Sequence, residues 1–355
     1  MKLSQLSKAA NGFERFTFSV KIDHAICYPS HDYQISSFHI ETSMHTKANT
    51  MQLTIEHIDV LEDLMKILQT GSRIELFAGY QKKEELIFLG YLQEVEFITK
   101  RQIVTEIHLY AQDVKGLMML HKQVSHIISK KCNAMIFDML NDAFYKKYVD
   151  KVNITPLVSC MNTSVWINGK SDFDLLCQIC ENSFTTFYVQ KDTLFFKGQY
   201  TQGKPCIEID QKEGIYEIHQ KTSLTNQYGT IQMTTCDGFQ QKKKVVKHIT
   251  VTNRAQDKHM KEIMKHTQSI YVNPGLHDLE ELQYIADQIE KEIILSYGEL
   301  SGISVLLPQL TCGDTISIAS FLDDSKKNAL LREVIHHYDE DGYSSEWKAS
   351  LMKGW

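Results

Sequence analysis

The sequence predicts an α+β fold that is mainly β: two similar antiparallel β-barrel domains with helical insertions. Three observations predict it. Apolar residues alternate with period two in two separated stretches, the period turns helical between and within them, and the two stretches match one another at a constant offset.

Residues 13–55 read as strands, because Phe16, Phe18 and Val20 alternate, as do Phe38 and Ile40, then Met51, Leu53 and Ile55. Residues 59–68, DVLEDLMKIL, read as a short amphipathic helix closed by Gly71. SRIELFAGY and LIFLGYLQEVEF then form strands around the charged turn 81–85, and IVTEIHLYAQD adds another. Alternation needs one buried face, so this unit is expected to be a closed or nearly closed barrel.

From 117 to 148 the period is helical, as in SHIISKKCNAMIFDMLNDAFYKKY. A second helix, SDFDLLCQICENSF, precedes a hairpin, FTTFYVQ-KD-TLFFKG. Residues 207–252 return to strands, and 278–298 form a strong helix with Leu279, Leu282, Ile285, Ala286, Ile289 and Ile293 on one stripe. The chain ends in strands: DTISIASF, LLREVIHHYD and YSSEWKASL.

The internal match carries the domain reading. Ile35, His39, Thr42, Ser43, Gln52 and Thr54 match Ile215, His219, Thr222, Ser223, Gln232 and Thr234. Further on, Gly71-Ser-Arg-Ile echoes Gly313-Asp-Thr-Ile, and Leu92-Gln-Glu-Val95 echoes Leu331-Arg-Glu-Val334 at a larger offset. The expected division is a first barrel at 1–117, a helical and hairpin domain at 118–204, a split second barrel at 205–252 and 300–355, and a helical insertion at 253–299.

With 355 residues, 43% of them hydrophobic and 23% charged, the chain can bury several cores. A net charge of −6 argues against a duplex-binding protein. The polar start, MKLSQLSK, predicts no signal peptide, and no stretch has the length of apolar residues that spans a membrane. The eight cysteines lack framework spacing and are expected to be reduced. Without a secretory route the sequons at Asn153 and Asn162 carry little meaning.

Cys177-Gln-Ile-Cys180 is the one motif that suggests chemistry. A zinc site needs four ligands, and no second pair follows at a suitable distance. A redox dithiol sits at a helix start, whereas this pair lies in the second and third turns of a helix capped by Ser171 and Asp174. Phe173, Leu176, Cys177 and Cys180 share one stripe, so the cysteines read as core ahead of a metal or redox role.

Other signals read as structure. His336 and His337 point to opposite faces of a strand, and Asp339–Gly342 reads as a hairpin turn rather than a calcium loop. The run Lys242, Lys243, Lys244 with Lys247 reads as a solvated loop before it reads as a phosphate site. Glu280 and Glu281 have no partner base. Phosphate-loop, dinucleotide, zincin and nucleophile-elbow motifs are absent, so no enzyme is expected and no catalytic, cofactor or metal residues are assigned.

Duplication has a symmetry consequence. Three chains with two like units each can form a ring of pseudo-sixfold symmetry, suited to joining a hexameric partner to a trimeric one. Here the chain resembles the hub proteins of contractile phage tails, the late control gene D family related to the N-terminal part of type VI secretion VgrG. The carriers are residues 74–113, 171–196 and 306–351, including Gly313-Asp314 at a strand start and Gly342-Tyr343 at a turn.

The resemblance implies a homotrimeric baseplate hub with an open central channel. Its partners would be a hexameric tail tube or tube-initiator protein, a trimeric spike and other baseplate proteins, with no specific nucleic acid and no membrane anchor. The implied location is a virion or phage-tail-like particle, assembled in the bacterial cytoplasm. VgrG chains continue into a spike, whereas this sequence stops at Trp355, so a separate spike protein is expected. A phage tail, an R-type bacteriocin or a related injection particle is favoured. The alternatives are a tail-associated protein of a non-contractile phage and a nucleic-acid-binding barrel protein.

Overall fold

A computed structural model describes residues 1–44, 47–122, 126–128, 132–157, 165–167, 169–198, 204–234, 244–248, 258–272, 279–319 and 326–352. The first unit begins with α1 (Leu3–Ala9), β1 (Phe16–Ile22), β2 (Ala25–Tyr28), β3 (Gln34–Ser43) and β4 (Thr50–Glu56). It continues through α2 (Leu61–Ile67), β5 (Arg73–Tyr80), β6 (Lys83–Lys100) and β7 (Ile103–Gln112). The alternating residues read from the sequence face inward: Phe18, Val20, Ile40, Met51, Leu53 and Ile55 share one core. Gly71 follows α2 at φ +90°, a conformation that a Cβ opposes.

A second module packs beside it. Its elements are α3 (Val114–Leu120), β8 (His126–Ile128), α4 (Cys132–Leu140), β9 (Lys151–Ile154), β10 (Val165–Ile167), α5 (Asp172–Ser183), β11 (Thr185–Gln190) and β12 (Thr193–Gly198). The helical period over 117–148 is therefore broken. Residues His126–Ile128 pair antiparallel with Val165–Ile167, and β-branched residues on both strands favour that pairing over a helical turn. The α5–β11–β12 order is the one read from the sequence, and β9 adds to β12 in parallel.

The remaining elements are β13 (Ile207–Ile209), β14 (Ile215–Thr222), β15 (Thr230–Thr234), β16 (Lys244–His248), α6 (Lys258–Lys265) and β17 (Gln268–Val272). They are followed by α7 (Leu279–Ser296), β18 (Gly298–Val305), β19 (Thr315–Ala319), β20 (Lys326–Asp339) and β21 (Gly342–Leu351). Here the internal match holds only in part. β14 pairs with β18, not with β15. β15 instead forms a three-stranded sheet with β16 and β17, and its Ile231 and Met233 pack on Leu282, Ile285 and Ile289 of α7. The chain between β14 and β18, residues 223–297, thus carries a strand-containing module as well as the expected helix.

The two units are not separately closed. Thirteen strands form one curled sheet, in the order β14-β18-β21-β20-β3-β4-β7-β6-β5-β1-β2, with β19 and β13 branching from β20. The N-terminus crosses over: Leu3, Ala10 and Phe13 enter the core of the second unit, and the Ser4 hydroxyl donates to Asp210 at 2.7 Å.

Candidate functional site

Strand register makes the duplication structural. In the first unit Leu92 faces Ala111 and Glu94 faces Tyr110, leaving Gln93 as an extra, bulged residue of β6. In the second, Leu331 faces Ala349 and Glu333 faces Lys348, leaving Arg332 as the bulge of β20. β3 bulges at Ser36 between the pairs Ile35–Ile55 and Ser37–Thr54. β14 bulges at Tyr216 between Ile215–Ser304 and Glu217–Ile303. The flanking bonds repeat too. Gly71 N–H donates to the Leu92 carbonyl at 2.7 Å, and Gly313 N–H donates to that of Leu331 at 2.8 Å. Hence β3, β4, β7, β6 and β5 correspond to β14, β18, β21, β20 and β19.

The two units meet where β20 lies beside β3. β20 runs antiparallel to β3 through the pairs Glu333–Ser43, Val334–Thr42, Ile335–Glu41, His336–Ile40, His337–His39 and Tyr338–Phe38. Val334, His336, Thr42, Ile40 and Phe38 are buried on one face of this junction. Aromatic rings continue the packing. Phe38 lies 5.4 Å from Tyr338, and Phe16 stacks on Tyr343 at 4.6 Å. Tyr80 and Tyr343 donate to the carbonyls of Leu306 and Phe13 at 2.7 and 2.6 Å, tying the two cores together.

The His336–His337 pair divides across the sheet, as the alternation requires. The His336 ring donates from Nε2 to the Leu310 carbonyl at 3.2 Å, so Nδ1 accepts from the Ser345 hydroxyl at 2.8 Å. That tautomer is neutral, and burial lowers its pKa to about 4. His337 lies on the other face, 2.7 Å from Asp339 and 5.8 Å ring to ring from His39. Burial first, and then the neighbouring His337, lowers the pKa of His39.

Among the described residues, the remaining sequence candidates sit at two helix starts, in a core, in a turn and in a strand. Ser171 and Asp174 form the expected capping box of α5, with reciprocal bonds of 3.1 and 3.2 Å. Cys180 is buried, Cys177 is half-buried and both are free thiols. Burial pushes their pKa values up to about 12 and about 11, away from the thiolate that metal or redox chemistry needs. With Glu292, Arg332 and Lys348 they line an open cavity of about 700 Å³ between α5, α7 and β20–β21. No group of His, Cys, Asp and Glu fit to hold a metal ion exists among the described residues. Asp339 faces Gly342 across a two-residue turn, and Asp341 N–H donates to its carboxylate at 2.9 Å. Glu280 and Glu281 occupy the first turn of α7, where the helix dipole favours acids. Lys242 and Lys243 lie outside the described residues, and Lys244 and Lys247 belong to β16.

This architecture is that of phage tail proteins. No family model matches the chain, and no curated protein matches it. Among solved structures it is similar to the tail protein from Neisseria meningitidis MC58, with a TM-score of 0.65 at 13% identity over 95% of this chain and 96% of that one. It is similar to the 43 kDa tail protein of prophage MuSo2 from Shewanella oneidensis, with a TM-score of 0.64 at 11% identity over 94% and 98% of the two chains. An Escherichia coli component of the type VI secretion system, described as structurally similar to T4 bacteriophage tail proteins, gives a TM-score of 0.59 at 11% identity over 93% of this chain and 76% of that one. At such identities the common property is the fold, and it is the fold expected from the resemblance to tail hub proteins.

Proposed function

We propose that the chain is a non-enzymatic baseplate hub of a contractile phage tail or tail-like injection particle. It acts as a homotrimeric ring of six similar units that joins a hexameric tail tube to a trimeric spike. The observation that carries this reading is the β20–β3 junction, which sets two register-matched units side by side in one sheet. The likeness to tail proteins and to a type VI secretion component supports it.

In this reading the first unit ends near 117 and the module at 118–204 flanks the ring. The second unit comprises 205–222 and 298–355, interrupted by 223–297. Light scattering after size exclusion, with and without tube and spike proteins, tests the proposal. A species of three chains is expected, and a monomer under all those conditions sinks it.

A further inference from the structure

β6 and β14 each present an edge with no strand partner among the described residues, and the duplication indicates what each would pair with. In the second unit, β20 beyond its bulge has β21 on one side and β3 on the other. The corresponding part of β6, Glu94–Thr99, has β7 on one side only, because β5 leaves it at Tyr91. Likewise β3 lies between β4 and β20, whereas β14, its counterpart, has β18 alone. Exposure follows the same division. Phe38 and Ile40 of β3 are buried, while β14 has no buried residue and β6 has none from Gln93 to Lys100. Phe97 is 37% exposed, and the equivalent His336 is 1% exposed.

We propose that these two edges join copies of the chain head to tail, β6 of one copy running antiparallel to β14 of the next, in the register of the internal junction. The inference rests on the ring reading and specifies its contact. Because the bulges align Glu94 with Glu333 and Ser223 with Ser43, the register carries over residue by residue. Glu94 faces Ser223 of the next copy, Val95 faces Thr222, Glu96 faces Lys221, Phe97 faces Gln220, Ile98 faces His219 and Thr99 faces Ile218. One position beyond, Lys100 meets Glu217.

Charges on an edge strand ordinarily keep edges apart. In this register they are complementary: Glu96 opposes Lys221, and Lys100 opposes Glu217. Sliding the strands by four residues would instead set Lys100 against Lys221 or Glu96 against Glu217, which like charges directly opposite disfavour. Within one chain Glu96 lies only within 3.8 Å of His108, and Lys221 has no ion-pair partner among the described residues. Lys100 and Glu217 are themselves exposed and hold the half-buried Glu106 and the exposed His219, and pairs with an exposed member exchange readily. Phe97 takes the place of His336 and is covered in the same way.

The test uses the full chain. Glu96→Cys and Lys221→Cys variants are purified separately, mixed and mildly oxidised. Directly opposed residues of antiparallel strands lie about 4.5–5.5 Å apart at Cα, within disulfide reach. A disulfide joining positions 96 and 221, identified by mass spectrometry and formed in the mixture alone, is expected. Its absence from an assembled mixture, or cross-linking of either variant to itself, overturns the proposed pairing. Independently, Lys221→Glu is expected to weaken self-association about tenfold at low salt, and adding Glu96→Lys to restore it. If the wild-type protein assembles but the charge changes have no effect, the register is overturned and the ring stands. If the wild-type protein never assembles, the ring reading fails with it.

Discussion

Lys115 Nζ lies 3.8 Å from Asp113 Oδ2, and both side chains are withdrawn from solvent where the first unit meets the flanking module. Neither atom has a hydrogen-bond partner among the described residues, while Asp113 Oδ1 caps α3 by accepting from Lys115 N–H at 2.9 Å. Burial raises the Asp113 pKa, the mark of a poorly solvated carboxylate.

Breaking such a pair from one side leaves a lone buried charge, whereas replacing both partners does not. Lys115→Met is therefore expected to cost about 3 kcal/mol, and Asp113→Asn with Lys115→Met to return to within about 1 kcal/mol of the parent, since Asn keeps the cap. Urea unfolding of the three proteins checks this. A single variant as stable as the double one would contradict it.

His336 makes stability fall with acid. Its folded pKa of about 4 lies below the ordinary 6.5, so on acidification the unfolded chain takes up a proton that the folded chain refuses. The contribution is whole above about pH 6.5, is lost as pH falls towards 4, and changes no further below that. The loss is about 3 kcal/mol over the window. His336→Gln is expected to be less stable at pH 7 but to flatten this slope, measured by unfolding midpoints at several pH values. An unchanged slope would rule it out.

The CxxC thiols should behave as core. Cys180→Ala is expected to cost about 1–2 kcal/mol through lost packing, and the half-buried Cys177→Ala less. Both thiols should alkylate slowly at pH 8, and a chelator should leave the unfolding midpoint unmoved. Stoichiometric zinc in the purified protein would overturn this.

Gly302 faces Trp347 where the first unit sets Leu53 against Leu109. A Cβ at Gly302 would lie 2.4 Å from the indole, so Gly302→Ala is expected to destabilise by about 1–3 kcal/mol. Adding Trp347→Leu should recover part of the loss, and a double variant worse than the single would refute the pairing of volumes.

That same substitution explains what the sequence concealed. β3 and β14 could be matched because Ile35, His39, Thr42 and Ser43 recur in identity and spacing as Ile215, His219, Thr222 and Ser223. β18, the true counterpart of β4, carries Gly302 and Ser304 where β4 has Leu53 and Ile55, so β15 with its Gln232 and Thr234 made the better textual match. Alternation specifies that a strand has a buried face, not which neighbour it pairs with. The α5 cap and stripe were legible because they are local. The crossing of α1 to the second unit and the β8–β10 pair depend on distant chain, and no nearby residue signals them.

The junction of the two units was legible only as an echo. Leu92-Gln-Glu-Val95 and Leu331-Arg-Glu-Val334 share a motif whose meaning is a bulge, Gln93 and Arg332, and a bulge is invisible until its partner strand is known. The free edges had no sequence signature beyond charged residues among Glu94–Lys100 and Glu217–Thr222, which a solvated strand also has.

The β20–β3 junction is closed by covalent connection, so its formation does not depend on protein concentration. In a ring of such chains every second seam is already sewn, and dilution can open only the seams between copies. The rigid-body freedom lost on assembly is that of joining chains rather than single units, which lowers the entropic cost of completing the circle. The β6 and β14 edges differ from each other, so in the proposed ring chains would follow one another in only one sense. A ring built in that way would have a distinct upper and lower rim, each free to meet a different neighbour.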